Sequence, residues 1–244
     1  MKSGRRILLG VFAVAALAVL GFIAWAGTPL GPAPRALAAL KSDSLVTVSS
    51  GDYIAFSPAG QQMSTVGFIF YPGGRVEARS YAAPLREIAA RGYLTVLVPV
   101  RLNLAFFDIN AAEPVLKAYP FIEHWVIGGH SLGGVAAALF AKDHPEIDGL
   151  VFWASYPPDD ALKDSGLPVL SIYGTRDGAG VEKFNQSRAL LPGNARFVAI
   201  EGGNHAQFGD YGPQPGDNEA SIPTAEQQSQ VAESVAAFLA SLAR

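Results

Sequence analysis

The sequence contains no cysteine, which excludes disulfide bonds, thiolate metal sites, a cysteine nucleophile and a lipid-modified cysteine. Charged residues are also scarce, at 16% of the chain, and the formal net charge is −3. No basic surface therefore indicates a nucleic-acid partner. Hydrophobic residues, in contrast, make up half of the 244 positions, and this length is sufficient for one domain with a sizeable core.

Part of this hydrophobicity lies in one run near the amino terminus. A basic cluster precedes the uncharged segment Ile7–Ala26, which would span about 30 Å as a helix, the thickness of a bilayer core. The apolar region of a cleaved signal peptide is normally about 7–15 residues long, although Ala24–Ala26 has the small residues that a signal peptidase prefers. We favour an uncleaved signal anchor in residues 1–26 over a cleaved signal peptide. Because the basic cluster stays cytoplasmic, we expect a membrane-bound extracytoplasmic domain, or a secreted one if the segment is cleaved.

Residues 27–40 are rich in proline, glycine and alanine, and this composition predicts a linker that lifts the domain off the membrane. From residue 41 to residue 244, strand-like and helix-like segments alternate, with no internal repeat and no second domain. Alternation of this kind predicts an α/β fold, a mostly parallel doubly wound sheet with helices on both faces. The predicted strands are Leu45–Val48, Tyr53–Phe56, Val66–Tyr71, Leu94–Val98, the segment from His124, Gly149–Ala154, Val169–Tyr173 and Arg196–Ile200. The predicted helices are Tyr81–Arg91, Ala111–Tyr119, the alanine-rich segment to Asp143, Val181–Leu191 and Ala225–Leu242.

Between the strand that opens at His124 and the alanine-rich helix lies a turn crowded with glycine. It contains the pattern Gly129-x-Ser131-x-Gly133, which is typical of a nucleophile elbow. A side chain at either flanking position of so sharp a turn would collide with the strand or the helix, so both positions are glycine. Ser131 is therefore predicted to be a nucleophile at the tip of the turn. The alternative is that its hydroxyl merely caps the helix.

A serine hydroxyl is a weak nucleophile and needs an adjacent base, which a third group orients. His205 follows the late strand ending at Ile200, and the carboxyl end of such a strand is where the base is expected. His205 is therefore the predicted base. The other histidines are assigned to different places: His144 to the C-terminal end of the helix after Ser131, His124 to the far end of the elbow strand, and His130 to a structural role.

The acid that orients the base is expected between the serine and the histidine along the chain. Asp177 follows the strand that ends at Tyr173 and is predicted to be this acid. Its alternative interpretation is an ordinary Asp-Gly turn. Other acidic candidates stay open: Asp159, Asp160, Asp164 and Glu182.

Acyl chemistry also needs two backbone N–H donors for the oxyanion, one directly after the nucleophile and one after an earlier strand. Leu132 is the first predicted donor. The second is expected in the loop Pro72–Val76, in which proline has no N–H. Gly73, Gly74 and Arg75 remain, and Gly74 is favoured because glycine lets the backbone approach a substrate closely. A plain turn is the alternative.

Two connecting segments bear on the substrate site. Only 12 residues, Ser155–Gly166, separate one predicted strand from the next apolar segment. This is too short for a helical cap domain, so we expect an open and shallow pocket. The loop Gln207–Thr224 directly follows the predicted base, and loops of this length are usually functional or mobile. We expect it to form one rim of the substrate site.

Four motifs together resemble the α/β-hydrolase superfamily, and most closely its cap-less bacterial fold-5 family. They are Tyr71–Val76, Gly128–Gly134, Tyr173–Gly178 and Gly202–Phe208. The resemblance extends over Val66–Leu242 and implies the α/β-hydrolase fold with a Ser-Asp-His triad. Dienelactone hydrolases are more distant relatives, and resemblance to them implies a cysteine nucleophile, which this chain lacks.

The combined prediction is a serine hydrolase of the carboxylesterase type that cleaves a small-molecule ester. Its triad is Ser131, Asp177 and His205, and its oxyanion donors are Leu132, Gly74 and Gly73. It requires no metal or cofactor and contacts the membrane through its N-terminal helix, while the oligomeric state is left open. An acyltransferase with the same triad is the nearest alternative. A non-catalytic binding module on a hydrolase scaffold is the second.

Overall fold

A single mixed sheet carries the fold. The computed structural model describes residues 2–60 and 62–243, with side chains from residue 8 onward. Eight strands lie in this part of the chain: β1 (Val46–Ser50), β2 (Ile54–Pro58), β3 (Val66–Tyr71), β4 (Leu94–Leu97), β5 (His124–His130), β6 (Ile147–Trp153), β7 (Val169–Gly174) and β8 (Arg196–Ile200). Their order in the sheet is β1-β2-β4-β3-β5-β6-β7-β8. The pairs β1–β2 and β2–β4 are antiparallel, and the other neighbouring pairs are parallel, as the sequence predicts.

Burial explains why the central strands are continuous apolar runs. Every residue of β3 and of β7 is buried, because helices cover both faces of the parallel part of the sheet. The edge strand β1 buries only its first residue. The antiparallel edge of the sheet therefore needs fewer apolar side chains than its centre.

Helices occupy both faces of the sheet. The α-helices are α1 (Lys2–Ala26), α2 (Pro34–Ala38), α3 (Ala82–Ala89), α4 (Glu113–Ala118), α5 (Leu132–Asp143), α6 (Val181–Ser187) and α7 (Thr224–Leu242). Short 3-10 helices cover Ala78–Tyr81, Arg101–Asn103, Ala105–Phe107, Ile109–Ala112, Arg188–Leu190 and Ala206–Phe208. Apolar residues of α3, α6 and α7 pack in one core, and those of α4 and α5 pack in a second core on the opposite face. The predicted helices differ from these mainly at their ends, where 3-10 turns replace α-helix.

The connection between β6 and β7 contains only turns and bends, and the structure describes all of it. The carboxyl ends of the central strands therefore carry no helical cap, which confirms the prediction from the short 155–166 segment.

One helix of the described chain is long and apolar enough to cross a membrane. It covers Leu8–Ala26, 19 residues with a mean hydropathy of 2.5. Residues 8–25 are all exposed rather than packed in the domain. The basic cluster expected to set its orientation lies before the first described side chain.

Residues 28–40, expected to separate the domain from the membrane, instead pack against it. The N–H of Leu30 donates to Arg75 O at 2.8 Å, and Leu30 O accepts from Glu77 N at 2.9 Å. The guanidinium of Arg35 in α2 binds Asp210 Oδ2 at 2.9 Å and also contacts Gln228. A proline-rich composition predicts little of this, because the partners lie far away in the sequence. The division of the chain at residues 26 and 40 stays a prediction.

Candidate active site

The turn between β5 and α5 has a strained backbone. Ser131 has φ 51° and ψ −119°, and residues other than glycine rarely adopt a positive φ. Such conformations cost about 1–3 kcal/mol and cluster at functional sites. The N–H of Ser131 donates to Trp153 O at 2.9 Å, which holds the turn against the end of β6.

Close backbone contacts explain the glycines on either side of Ser131. A Cβ atom on Gly129 would lie 2.4 Å from the carbonyl carbon of Gly133, in the first turn of α5. A Cβ on Gly133 would lie 2.3 Å from Pro72 O, just beyond β3. The turn therefore packs against the Pro72–Val76 loop as well as against its own helix. This contact places the nucleophile candidate beside the predicted oxyanion loop.

Ser131 does not cap the helix that follows it. Although Ser131 occupies the N-cap position of α5, its side chain makes no capping hydrogen bond. The carbonyl oxygen of Ser131 instead accepts from Ser155 Oγ at 2.6 Å. The hydroxyl is half-buried and has no partner among the described residues. This geometry argues against the capping interpretation.

The predicted acid and base form a hydrogen-bonded pair. Asp177, after β7, accepts from His205 Nδ1 at 2.8 Å through Oδ2. Its Oδ1 accepts from the N–H of Ala179 at 2.8 Å. The Asp177 side chain is fully buried, and that of His205 is 12% exposed. Because a carboxylate only accepts hydrogen bonds, Nδ1 carries a proton, and in the neutral ring the lone pair is then on Nε2.

His130 brings the base loop against the elbow. Its ring centroid lies 4.5 Å from that of His205 and 5.6 Å from that of Phe208. Burial, together with the nearby His205, lowers the pKa of His130 well below its ordinary value, so its ring stays neutral. His130 directly precedes Ser131 and packs against the predicted base, which fits the structural role expected from the sequence.

The loop predicted to supply an oxyanion donor, Pro72–Val76, is held through Tyr81. The Tyr81 hydroxyl accepts from Gly73 N at 3.1 Å and lies 2.8 Å from His130 Nδ1. Burial raises the pKa of Tyr81, so the phenol keeps its proton. The N–H of Gly73 is therefore occupied within the protein.

Only one of the three candidate donors in this loop remains free. Arg75 N donates to Asn103 O at 2.8 Å, and Gly73 N is bound to Tyr81, so the prediction of Gly73 as a donor is not supported. Among the described residues, neither Gly74 N nor Leu132 N has an acceptor. A Cβ on Gly74 would lie 3.0 Å from Leu132 Cδ2. The two free N–H groups thus belong to Leu132, which directly follows Ser131, and to Gly74, which packs against Leu132.

The alternative candidates lie in other surroundings. His144 pairs with Glu146 at 2.9 Å and stacks on Phe140 at the C-terminal end of α5. His124 lies 3.4 Å from Asp148 at the other end of β5. The remaining acidic candidates are all exposed, and the side chains of two of them make local contacts: Asp159 with the N–H of Ala161, and Glu182 with Gln186.

The family's sequence model decides the classification. It is described as the alpha/beta hydrolase family and matches residues 67–229 of this chain, well over half of its length. The chain belongs to the alpha/beta hydrolase family. A comparison of this hydrolase with curated proteins finds no match.

Solved structures show the same fold at low sequence identity. The hydrolase superposes on TT1662 from Thermus thermophilus with a TM-score of 0.59 and 14% identity, covering 80% of this chain and 98% of that one. The esterase domain of a Rhodothermus marinus protein gives a TM-score of 0.60 and 15% identity, with coverages of 79% and 96%. An esterase from Pyrobaculum calidifontis gives 0.59 and 16%, with coverages of 83% and 88%.

Asp217 is the main site residue that the sequence interpretation missed. Its Oδ1 accepts from Gly178 N at 2.9 Å, from Asn218 N at 2.9 Å and from His205 N at 3.3 Å. Its Oδ2 accepts from Ala206 N at 2.8 Å. One carboxylate therefore binds the turn of the acid and the turn of the base together. The only signal in the sequence is its place in the long loop after His205.

Helix α7 also holds the loop of the predicted base through hydrogen bonds. The side chain of Gln227 accepts from Asn204 N at 3.0 Å and donates to Asn204 O at 2.8 Å. Gln227 is fully buried, and Asn204 directly precedes the base. The long helix at the end of the hydrolase domain thus fixes the backbone from which His205 projects.

The loop 207–224 also encloses space behind the base. A cavity of about 620 Å³ is lined by Asn204, Ala206, Asp210 and Asp217, among others, but not by Ser131, Leu132 or Gly74. Loop residues and the neighbours of His205 line this cavity, and the predicted nucleophile and its predicted donors do not. In the described part of the hydrolase, no group of three or more His, Asp or Glu residues could hold a metal ion.

Proposed function

We propose that this hydrolase cleaves an ester through an acyl-enzyme on Ser131. The observation that carries the proposal is the Asp177–His205 pair, whose histidine ring packs against the residue before Ser131. A buried carboxylate that fixes the tautomer of a histidine beside a strained serine is the arrangement that nucleophilic acyl transfer needs.

The proposed reaction proceeds in two steps. Ser131 Oγ attacks the ester carbonyl carbon while His205 Nε2 takes the hydroxyl proton, and the imidazolium then returns this proton to the departing alcohol. In the second step His205 takes a proton from water, which attacks the acyl carbon. The bond to Ser131 breaks, the proton returns to Oγ, and a carboxylic acid is released. Asp177 holds the ring and stabilises its charged form throughout.

We assign the oxyanion donors to the N–H groups of Leu132 and Gly74. Both are free of acceptors among the described residues; Leu132 directly follows Ser131, and Gly74 packs against Leu132. One such donor is typically worth about 10²–10³-fold in kcat. The Tyr81–Gly73 hydrogen bond supports this role indirectly, because it fixes the loop that presents Gly74.

We further propose that α1 anchors the hydrolase in a membrane with the domain outside the cytoplasm. The exposed, apolar stretch Leu8–Ala26 and the basic residues before it in the sequence support this orientation.

The function is tested with the full-length hydrolase in detergent. We expect a fluorophosphonate probe to label it once per chain, with peptide mapping placing the adduct on Ser131. p-Nitrophenyl acetate or butyrate should be hydrolysed with release of both products. Absence of labelling and hydrolysis would favour a binding module. Faster p-nitrophenol release with added alcohols, without a matching rise in free acid, would identify an acyltransferase.

Asp217 provides a further prediction on the same reaction. Asp217→Ala removes the acceptor of four backbone N–H groups around the acid and the base. A displacement of His205 by about 1 Å can cost about 10²-fold in rate, so we expect a loss of that order in kcat with little change in KM.

Two further variants separate positioning from a general loss of stability. Asp217→Asn keeps one acceptor oxygen and should recover part of the lost kcat. Glu219→Ala removes an exposed side chain from the same loop and should leave kcat unchanged. If the two alanine variants have equal activity, Asp217 does not position the base.

A further inference from the structure

The end of helix α1 contacts the oxyanion loop directly. Arg75 Nε donates to Trp25 O at 3.0 Å, and one of its terminal nitrogens donates to Thr28 O at 2.9 Å. The guanidinium also lies over the Trp25 ring, 4.3 Å from its centroid. Because Arg75 directly follows Gly74, the apolar helix and the proposed oxyanion donor are joined by one residue.

A second contact involves residues 101–107, hereafter the aromatic segment. Asn103 Nδ2 donates to Ala26 O at 3.0 Å. The Phe107 ring meets Phe22 edge-on, with centroids 5.9 Å apart. Phe106 and Phe107 are nevertheless 48% and 52% exposed. Adjacent exposed phenylalanines beside an exposed apolar helix form a continuous apolar surface that water solvates poorly.

The length of the apolar helix determines the depth of this surface. At 1.5 Å per residue, the stretch Leu8–Ala26 is about 28 Å long, close to the thickness of the hydrocarbon core. Its last turn, with Phe22 and Trp25, therefore lies at the outer interface, where aromatic residues concentrate. Phe107 contacts this turn and must lie at the same depth.

The aromatic segment also borders the reaction site. Asn103 O accepts from Arg75 N at 2.8 Å. Leu104 Cδ2 lies 3.6 Å from the position of a Cβ on Gly74, so Leu104 flanks the proposed oxyanion donor. The 3-10 turn Ala105–Phe107 packs on α5, the helix that begins after Ser131. Phe106 and Phe107, which reach the interface, are thus only two and three positions along the chain from Leu104, which flanks the site.

We infer that the mouth of the active site opens at the membrane surface and that the substrate is an amphiphilic ester held in the bilayer. Leu104 and the two phenylalanines form an apolar path from the lipid to the Gly74–Leu132 donors. The absence of a cap leaves this path open. The substrate class rests on the proposed function and on anchoring by α1, whereas the membrane contact of the aromatic segment does not depend on catalysis.

The contact is tested by lipid quenching, which requires no activity. The chain has no native cysteine, so Phe107→Cys and Phe121→Cys each create a single labelling site. Phe121 is a matched control because it is 50% exposed and precedes β5, at the opposite end of the strand from Ser131. Each variant is labelled with bimane in phosphatidylcholine vesicles and quenched with doxyl-labelled lipid or with aqueous iodide.

We expect doxyl lipid to quench the label at position 107 strongly and iodide to quench it weakly, with the reverse at position 121. Quenching of position 107 by iodide alone would show that the segment faces water. Protection from both quenchers would show that protein covers it, as in a dimer. Either result overturns the inference.

The substrate class is tested with two esters of the same leaving group. The double variant Phe106→Ser/Phe107→Ser should hydrolyse vesicle-embedded p-nitrophenyl palmitate at least about tenfold more slowly, since each phenylalanine contributes substantially to partitioning. Hydrolysis of dissolved p-nitrophenyl acetate should change less than about twofold. Phe121→Ser should leave both rates unchanged.

The two hypotheses fail in different ways. A wild-type chain that cleaves neither ester contradicts the proposed function. A wild type that cleaves acetate but not embedded palmitate, or a double variant that loses both rates equally, contradicts the substrate class alone.

Discussion

Ser131→Ala is expected to abolish probe labelling and to lower kcat for p-nitrophenyl esters by about 10⁶-fold, the order found when the serine of a triad is removed. The reason is that the alanine variant cannot form the acyl-enzyme, while the Asp177–His205 pair and the Gly74 and Leu132 donors remain in place. A small residual rate from the oxyanion donors is expected. Rates are measured by p-nitrophenol release, and labelling is measured by intact mass.

Two variants separate the loss of chemistry from a loss of fold. Ser131 has φ 51°, which glycine adopts without strain, so Ser131→Gly should be inactive and at least as resistant to urea as the wild type. Ser165→Ala removes the hydroxyl of an exposed residue whose two hydrogen bonds, to Leu162 O and from Leu167 N, are both local, and it should leave kcat unchanged. Equal labelling of wild type and Ser131→Ala would reject Ser131 as the nucleophile.

Asp177→Asn is the second variant with a large expected effect, about 10⁴-fold in kcat. The buried carboxylate accepts from both Ala179 N and His205 Nδ1. An asparagine has only one acceptor oxygen, and its NH₂ group must face one of these partners. If it faces the ring, His205 is held in the wrong tautomer, with its proton on Nε2, and cannot take the proton of Ser131.

Asp159→Asn is the matched control for this variant. Asp159 also accepts a backbone N–H two residues later, from Ala161, but it lies in an exposed turn after β6 without a histidine partner. We expect its kcat to stay within about twofold of wild type, as for a surface substitution away from the site. If Asp177→Asn were as active as Asp159→Asn, the orienting acid would have to be sought elsewhere.

The elbow was predictable because its physical requirements are local. A strand, a turn too tight for side chains and a helix follow one another between His124 and Asp143, so the glycines at 129 and 133 appear at fixed spacing around Ser131. The missing cap was predictable for a similar reason, because it follows from the length of the 155–166 segment alone. Asp177 and His205 were candidates because each follows a predicted strand, and the structure shows them paired.

Contacts between distant segments were not predictable in this way. Asp217 joins the turns at 178 and 205 across an irregular loop, where no periodicity marks which side chain is bound. Gly74 rather than Gly73 has a free N–H because the Tyr81 hydroxyl binds the N–H of Gly73. Residues 28–40 resemble a linker by composition, yet Arg35 pairs with Asp210, which is 175 positions away. Each of these depends on tertiary structure rather than on local chemistry.

The contact between Asn103 and Ala26 has a consequence for maturation. Ala26 is buried, its carbonyl oxygen is hydrogen-bonded to Asn103, and the N–H of Gly27 is bonded to Ile23 O at 2.8 Å. The peptide bond after the Ala24–Ala26 motif is therefore engaged from both sides, whereas proteolysis concentrates in exposed and loosely held segments. Cleavage after Ala26 would then have to occur before the exported domain folds. If residues 1–26 are an export signal, as the sequence predicts, a peptidase would have to act before the domain packs on Ala26, and we expect the folded protein to keep this segment.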